Sequence, residues 1–171
     1  MTLRLSSADC ALATIALCGA LLFGAQIMEH RFAMEPCPMC LMQRLWIFAA
    51  ALAAYAGLAH NPRWGIYPLL TIIAALIGGW VSARHLWLQS LPADQVPSCG
   101  PPVDYMIENF PLLDTLGSMF LGTGDCAQVD DFLGLSLPLW ALLGFAALIA
   151  LAALQWRLQL AAHQPDSRPQ P

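Results

Sequence analysis

The chain contains no lysine, and charged residues make up only 11% of its 171 positions, against about 25% in an ordinary globular protein. The seven basic residues are all arginine, and the net charge is −4. That scarcity excludes a nucleic-acid binder, which needs a basic face. No internal repeat or low-complexity segment is present, so a repeat array is excluded as well. A hydrophobic content of 58% excludes a disordered chain. Six cysteines raise the idea of a small disulfide-stapled secreted domain, but such domains are shorter and more polar. What remains is a polytopic membrane protein that carries an unusual number of thiols.

The apolar residues fall into four runs, at about 10–28, 41–59, 66–83 and 135–156. Each is near the ~20 residues that a helix needs to cross a ~30 Å hydrocarbon layer. The first run follows Arg4, as a signal peptide would, but it exceeds the roughly 7–15 residues of a signal core and no small-x-small cleavage site follows it. It is read as a mature helix. The expected fold is therefore an all-α membrane protein, a four-helix transmembrane bundle forming one membrane domain over 1–171, with loops at about 29–40 and 84–134.

Orientation follows from the arginines. Arg4, Arg63, Arg157 and Arg168 mark one side as cytoplasmic, with both termini. Arg31, Arg44 and Arg84 lie close to helix ends on the other side. Residues 86–134 carry no basic residue but hold Asp94, Asp104, Glu108, Asp114, Asp125, Asp130 and Asp131. Both larger loops are thus expected in the periplasm or exterior. In the long loop, Pro92, Pro97, Pro101 and Pro102 mark irregular chain. Residues 105–120 place Met106, Ile107, Phe110, Leu113, Leu116, Met119 and Phe120 at roughly helical spacing, with breaks near Pro111 and Gly117. The stretch reads either as a short interfacial helix or as loop packed on the bundle. Residues 164–171 read as a short disordered tail.

The thiols divide by side. Cys10 and Cys18 lie within the first run, where cysteine behaves as a small apolar residue. Cys37, Cys40, Cys99 and Cys126 all face outward, in the oxidising compartment where disulfides persist. Two structural disulfides are the plainest account. A Cys-x-x-Cys bridge closes a very short ring, however, and stabilises little through chain entropy. The same spacing lets one sulfur attack and the other resolve. Cys40 falls where the second helix should begin, and unpaired N–H groups there favour a thiolate. Arg44, four residues on, shares its helical face and brings a cation. This arrangement reads as a redox site facing a lipid-soluble partner. Zinc binding by the four outward cysteines is disfavoured, because only one close pair exists. The four histidines, His30, His60, His85 and His163, lie near helix ends or outside the runs, so no haem-ligating pair is indicated. The expectation is that no metal is bound.

Pro36-Cys37-Pro38-Met39-Cys40 with Gln43-Arg44 resembles the active-site segment of the disulfide bond formation protein B (DsbB) family. Gly124-Asp125-Cys126-Ala127, continuing through Asp131-Phe132-Leu133-Gly134-Leu135 to Pro138-Leu139-Trp140, resembles that family's approach to the fourth span. Arg84-His85-Leu86-Trp87-Leu88-Gln89 is similar to its exit from the third. The resemblance covers nearly the whole chain, with one departure: Gln43 stands where family members often carry an acid.

The resemblance implies a quinone-dependent protein-disulfide oxidoreductase of the bacterial inner membrane. Its partner would be a soluble periplasmic thioredoxin-like dithiol oxidase of the DsbA type, and its electron acceptor ubiquinone, or menaquinone under anaerobic conditions, drawn from the quinone pool in the membrane lipid. It further implies a Cys99–Cys126 disulfide attacked at Cys99, a freed Cys126 that attacks Cys37, and a Cys40 thiolate that delivers electrons to quinone held by Arg44. Arg84 and His85 are candidates for the quinone head group, or else interfacial anchors. Trp46 and Trp87 suit an aromatic belt, and Gly78-Gly79 suit close helix packing. Two other readings stand beside this one. One is a non-enzymatic membrane protein stapled by two structural disulfides. The other is a conduit carrying reductant outward, for which only Cys10 and Cys18 are placed.

Overall fold

Hydrocarbon offers no partner for a bare N–H or C=O, so an apolar run must close its hydrogen bonds within itself, as a helix. The computed structural model describes residues 6–32, 36–60, 65–129 and 131–162, and each apolar run in it is helical. The long helices are α1 (Ser7–Phe32), α2 (Pro38–His60), α3 (Ile66–Gln89) and, last in the chain, α6 (Leu137–Ala162). All four are long and apolar enough to cross a membrane. Arg4, Arg63, Arg168, His163, Asp130 and residues 164–171 lie outside the described residues.

The helices form a four-membered ring. α3 makes its largest interfaces with α6 and α2, α1 closes the ring against α2 and α6, and the α2–α6 diagonal barely touches. The central layer is Cys18, Ile47, Ala50, Ala74, Ala75, Phe145 and Leu148. Small residues let the helices approach. Gly78 of α3 faces the ring of Phe145 so closely that any Cβ would overlap it, and Gly144 of α6 meets Leu21 of α1. Phe23, Phe48, Leu76, Trp80 and Leu143 point outward, as expected of helices whose outer faces meet lipid. The inward hydroxyls are satisfied by their own helices: Thr14 donates to the Cys10 carbonyl at 2.9 Å and Ser82 to that of Gly78 at 3.0 Å. Cys10 and Cys18 are buried in α1.

Two boundaries differ from the hydropathy reading. Residues 84–89 continue α3 rather than opening the loop, and Glu29 continues α1. Hydrogen-bonded helix outlasts the apolar run, because the backbone ladder does not end where polar side chains begin. The fourth helix starts at Leu137, since Leu135–Ser136 pairs with Asp131–Phe132 in a two-residue hairpin (β2 with β1). Leu133 and Gly134 turn it at φ 55° and 81°, and Trp140 ties it down by donating to the Phe132 carbonyl at 3.0 Å.

Between α3 and the hairpin, residues 103–121 form two helices, α4 (Val103–Asn109) and α5 (Leu112–Leu121). They break at Phe110-Pro111, whereas Gly117 is passed without interruption. Met106 and Thr115 face inward, and Leu116, Met119 and Phe120 pack on a second cluster of Met39, Met42, Val81, Leu88 and Cys126. Leu112 and Leu113 stay 73% and 81% exposed on the opposite face. The segment therefore both packs on the bundle and presents an apolar outer face.

Gly78→Ala should lower stability in detergent by about 1–3 kcal/mol through overpacking. Combined with Phe145→Leu, the loss should fall short of the sum of the single losses. Strict additivity in thermal unfolding would show that the two positions do not compete for space.

Candidate active site

Pro38 opens α2, as proline often does at a first helical position. That start sets Cys37 just outside the helix and Cys40 in its first turn. Their sulfurs stand 3.0 Å apart, and the Cys40 amide donates to the Cys37 sulfur at 3.4 Å. The extra turns of α3 bring in His85. It is buried, its Nε2 lies 3.8 Å from the Cys37 sulfur, and its Nδ1 lies 3.3 Å from the amide of buried Gln43. Gln43 thus holds the imidazole against the dithiol.

The loop supplies the third sulfur. Gly122, at φ 83°, lies on Met39 and Leu88, and Gly124 lies on the backbone of Pro97 and Ser98 with room for no Cβ. These two approaches seat the short 3₁₀ turn Gly124–Ala127, which carries Cys126, over the start of α2. Cys126 is fully buried, and its sulfur accepts from the Cys37 thiol, the Met39 amide and Thr123. These donors, Cys37 first, outweigh burial and lower its pKa to about 6. Cys37 moves the other way: donating to Cys126 and to Cys40, and then burial, hold it firmly as a thiol.

Cys99 is exposed, and all six thiols are free in this structure. The pairing of Cys99 with Cys126 is therefore not the contact formed here, where Cys126 sits against Cys37 instead. Cys99 lies beside Asp125, whose carboxylate is fixed by the Gly100 amide at 3.2 Å and the Thr123 hydroxyl at 3.3 Å. Hydrogen bonding to Asp125, then its negative charge, raise the Cys99 pKa.

A cavity of about 860 Å³ opens beside the dithiol. Cys37, Cys40, Gln43, Arg44 and His85 line one wall, while α1 and α6 contribute Leu21, Gly24, Met28, Leu137 and Ala141. Arg44 reaches across to α1, where it forms an ion pair with Glu29 at 2.7 Å and donates to Gln26 at 3.3 Å and to the Ala25 carbonyl at 3.4 Å. Of the predicted site residues, Cys37, Cys40, Cys126, Arg44 and His85 come together, with Cys99 outside at the surface. Arg84 is not brought to the cavity. Its guanidinium stacks 4.7 Å from the Trp87 ring and donates to the Leu121 carbonyl at 3.3 Å, the place of an anchor between α3 and α5. Trp46 is half-buried between the two core clusters, facing the bundle rather than a belt. Glu29 and Gln26 escaped the sequence reading, although an acid three residues after a glutamine at the end of an otherwise apolar run was a visible signal.

Fold and site together define a four-span membrane protein that concentrates three thiols and a histidine at one end of its bundle. The family model for "Disulfide bond formation protein DsbB" matches residues 7–155. A Methylococcus capsulatus protein named disulfide bond formation protein B is 47% identical over 155 residues, covering 88% of this chain and 94% of its own length. The protein of that name from Marinobacter nauticus is 50% identical over 138 residues, covering 78% and 82%. The one from Saccharophagus degradans is 44% identical, covering 85% and 90%. The chain belongs to the disulfide bond formation protein B family, and it is a multi-pass membrane protein of disulfide bond formation.

Two outcomes test the electrostatics. Asp125→Asn should shift the alkylation profile of Cys99 to lower pH and raise its rate at neutral pH several-fold, because thiolate forms more readily once the neighbouring charge is gone. Removing the chief donor to Cys126 by Cys37→Ala should move its thiolate absorbance transition upward from about pH 6. Unmoved profiles would reject these contacts.

Proposed function

We propose that the protein reoxidises a soluble periplasmic thioredoxin-like dithiol oxidase of the DsbA type and passes the two electrons to a membrane quinone, ubiquinone or menaquinone. The observation that carries this reading is the row of sulfurs. Cys126 is buried against Cys37, Cys40 stands 3.0 Å beyond, and the pair borders a cavity lined by Arg44.

The thiol chemistry follows from the asymmetries of the site. With Cys99 and Cys126 joined, a partner thiolate attacking Cys99 breaks the S–S bond and releases Cys126. A leaving thiol of low pKa departs fastest, and even with Cys37 bonded to Cys40 the Met39 amide and Thr123 still donate to Cys126, which makes it the better leaving group. Asp125 disfavours charge on Cys99, which directs the attack outward to the exposed sulfur. The Cys126 thiolate then bonds to Cys37 as the Cys37–Cys40 bond breaks, and Cys40 takes the electron pair. The partner's second thiol resolves its bond to Cys99, and the partner leaves as a disulfide. Cys126 is displaced from Cys37 in turn as the Cys99–Cys126 bridge reforms.

The apolar wall and the polar end of the cavity suit a ring with polar oxygens at its edge. Arg44 would hold such an oxygen by donating from its guanidinium, with His85 as a second donor beside the dithiol. Glu29 holds Arg44 in place from α1. A quinone, when bound, supplies a two-electron acceptor mobile in the bilayer. It also supplies driving force: the soluble oxidase has a potential near about −120 mV, so reoxidising it requires a stronger oxidant.

The purified protein with quinone should oxidise the reduced partner without oxygen, and Cys40→Ser should abolish quinone reduction. Undiminished turnover in that variant would overturn the reading in favour of two structural disulfides, which would also resist mild reductant. Arg44→Ala should raise the quinone KM by about tenfold, the loss of one charge-assisted hydrogen bond. An unchanged KM would remove Arg44 from the acceptor site.

A further inference from the structure

The sequence spacing argues against zinc held by the four outward cysteines, but the fold assembles a different set. The Cys37 and Cys40 sulfurs and a ring nitrogen of His85 all lie within 4.8 Å of one another. The two sulfurs are 3.0 Å apart, and Nε2 is 3.8 Å from the Cys37 sulfur. Bonds of about 2.3 Å to sulfur and 2.0 Å to nitrogen place tetrahedral zinc ligands roughly 3.5–3.8 Å apart. A small rotation of either cysteine widens the sulfur pair to that spacing. We propose that the reduced Cys37–Cys40 dithiol and His85 form a site for a thiophilic d¹⁰ cation, zinc above all, which caps the dithiol and arrests its oxidation.

Three features of the structure support this. His85 is oriented as a metal-bound histidine must be: Gln43 holds Nδ1 and leaves Nε2 toward the sulfurs. Turning the Gln43 amide end for end presents its oxygen to an Nδ1–H, the hydrogen bond that orients and strengthens such ligands. The cavity wall also carries Asp104 and Asp125, so carboxylates border the way in, while Glu29 on the same wall is already paired with Arg44. With three protein ligands and the cavity alongside, a fourth position would be left for water, the pattern of an open zinc site. Binding moves no electrons. The cation displaces the two thiol protons, the sulfurs become thiolate ligands, and neither is then free to form the disulfide. Once the disulfide has formed, the ligand pair no longer exists, so the site belongs to the reduced state alone.

Cobalt(II) serves as the probe, because thiolate ligation gives it a charge-transfer band and tetrahedral geometry gives it intense visible absorption. The full chain in detergent, reduced and freed of reductant, should bind one cobalt with both signatures and release it to one equivalent of zinc. The C99S/C126S double variant should retain both signatures, and the oxidised protein should show neither. His85→Gln should weaken binding by at least about tenfold while far-UV helicity is kept. If that variant loses its helicity, Cys40→Ala provides the same test through loss of the charge-transfer band. The inference is overturned if reduced protein shows no thiolate band, if the band survives oxidation or Cys40→Ala, if it vanishes in C99S/C126S, or if folded His85→Gln binds as tightly as the parent. A second arm rests on the proposed electron route: zinc should stop quinone reduction, and chelation should restore it. Binding without inhibition would leave the metal site standing and count against Cys37–Cys40 as that route.

Discussion

Everything at the dithiol end of this molecule depends on one close approach, that of the loop turn carrying Cys126 onto the first turn of α2. Two glycines permit it. Gly122 lies on Met39 and Leu88, and Gly124 lies on the backbone of Pro97 and Ser98. A side chain at either would lift the turn and withdraw Cys126 from Cys37. Because Cys126 is fully buried there, it exchanges water for three protein donors, and those donors stabilise its anion. The same packing that hides the sulfur therefore makes it reactive. A mobile loop would reach Cys37 only occasionally and would leave its thiol at an ordinary pKa.

The second constraint is the cost of polar groups inside an apolar bundle. Arg44 and Gln43, beside the dithiol, are both answered. Arg44 is paired with Glu29 and further held by Gln26 and the Ala25 carbonyl, and Gln43 is matched to His85. These pairs lock α1 to α2 and α2 to α3, so the polar side chains that line the cavity also fix the helices that form it. Gln43 carries no charge, and its amide can either donate to or accept from an imidazole. That neutrality lets His85 change tautomer without stranding a charge beside the dithiol.

Much of this was legible in the chain. The four apolar runs gave the helices, and scarce charge left few residues to weigh. Cys37, Cys40 and Arg44 declared themselves because helical spacing puts a cation one turn beyond a thiol at a helix start. His85 was harder to place, because hydropathy ends the third run at residue 83 while the backbone continues to Gln89. The inward face Gly78, Val81, Ser82, His85 and Leu88 keeps helical spacing through that boundary, and reading period rather than polarity would have carried His85 inward. Arg84, its neighbour, necessarily points elsewhere, onto Trp87. The meeting of Cys126 with Cys37 could not be read from spacing at all, since it is set by the long loop's tertiary packing.

The contrast between Cys99 and Cys126 would let a short segment give the proposed thiol relay its direction. Residues 123–126 hold both controls. Thr123 donates toward Cys126 and also fixes the Asp125 carboxylate that faces Cys99. One turn thus stabilises negative charge on the buried sulfur and opposes it on the exposed one. In a disulfide between the two, the outer sulfur is the one a soluble thiolate reaches, and the inner sulfur is the one that leaves. Were the charges reversed, an incoming thiol would be expelled as readily as it bonded, because Cys126, then the poorer leaving group and the stronger nucleophile, would attack Cys99 again. In the proposed relay, the direction of exchange, from solvent toward the membrane, is therefore a property of local electrostatics as well as of access.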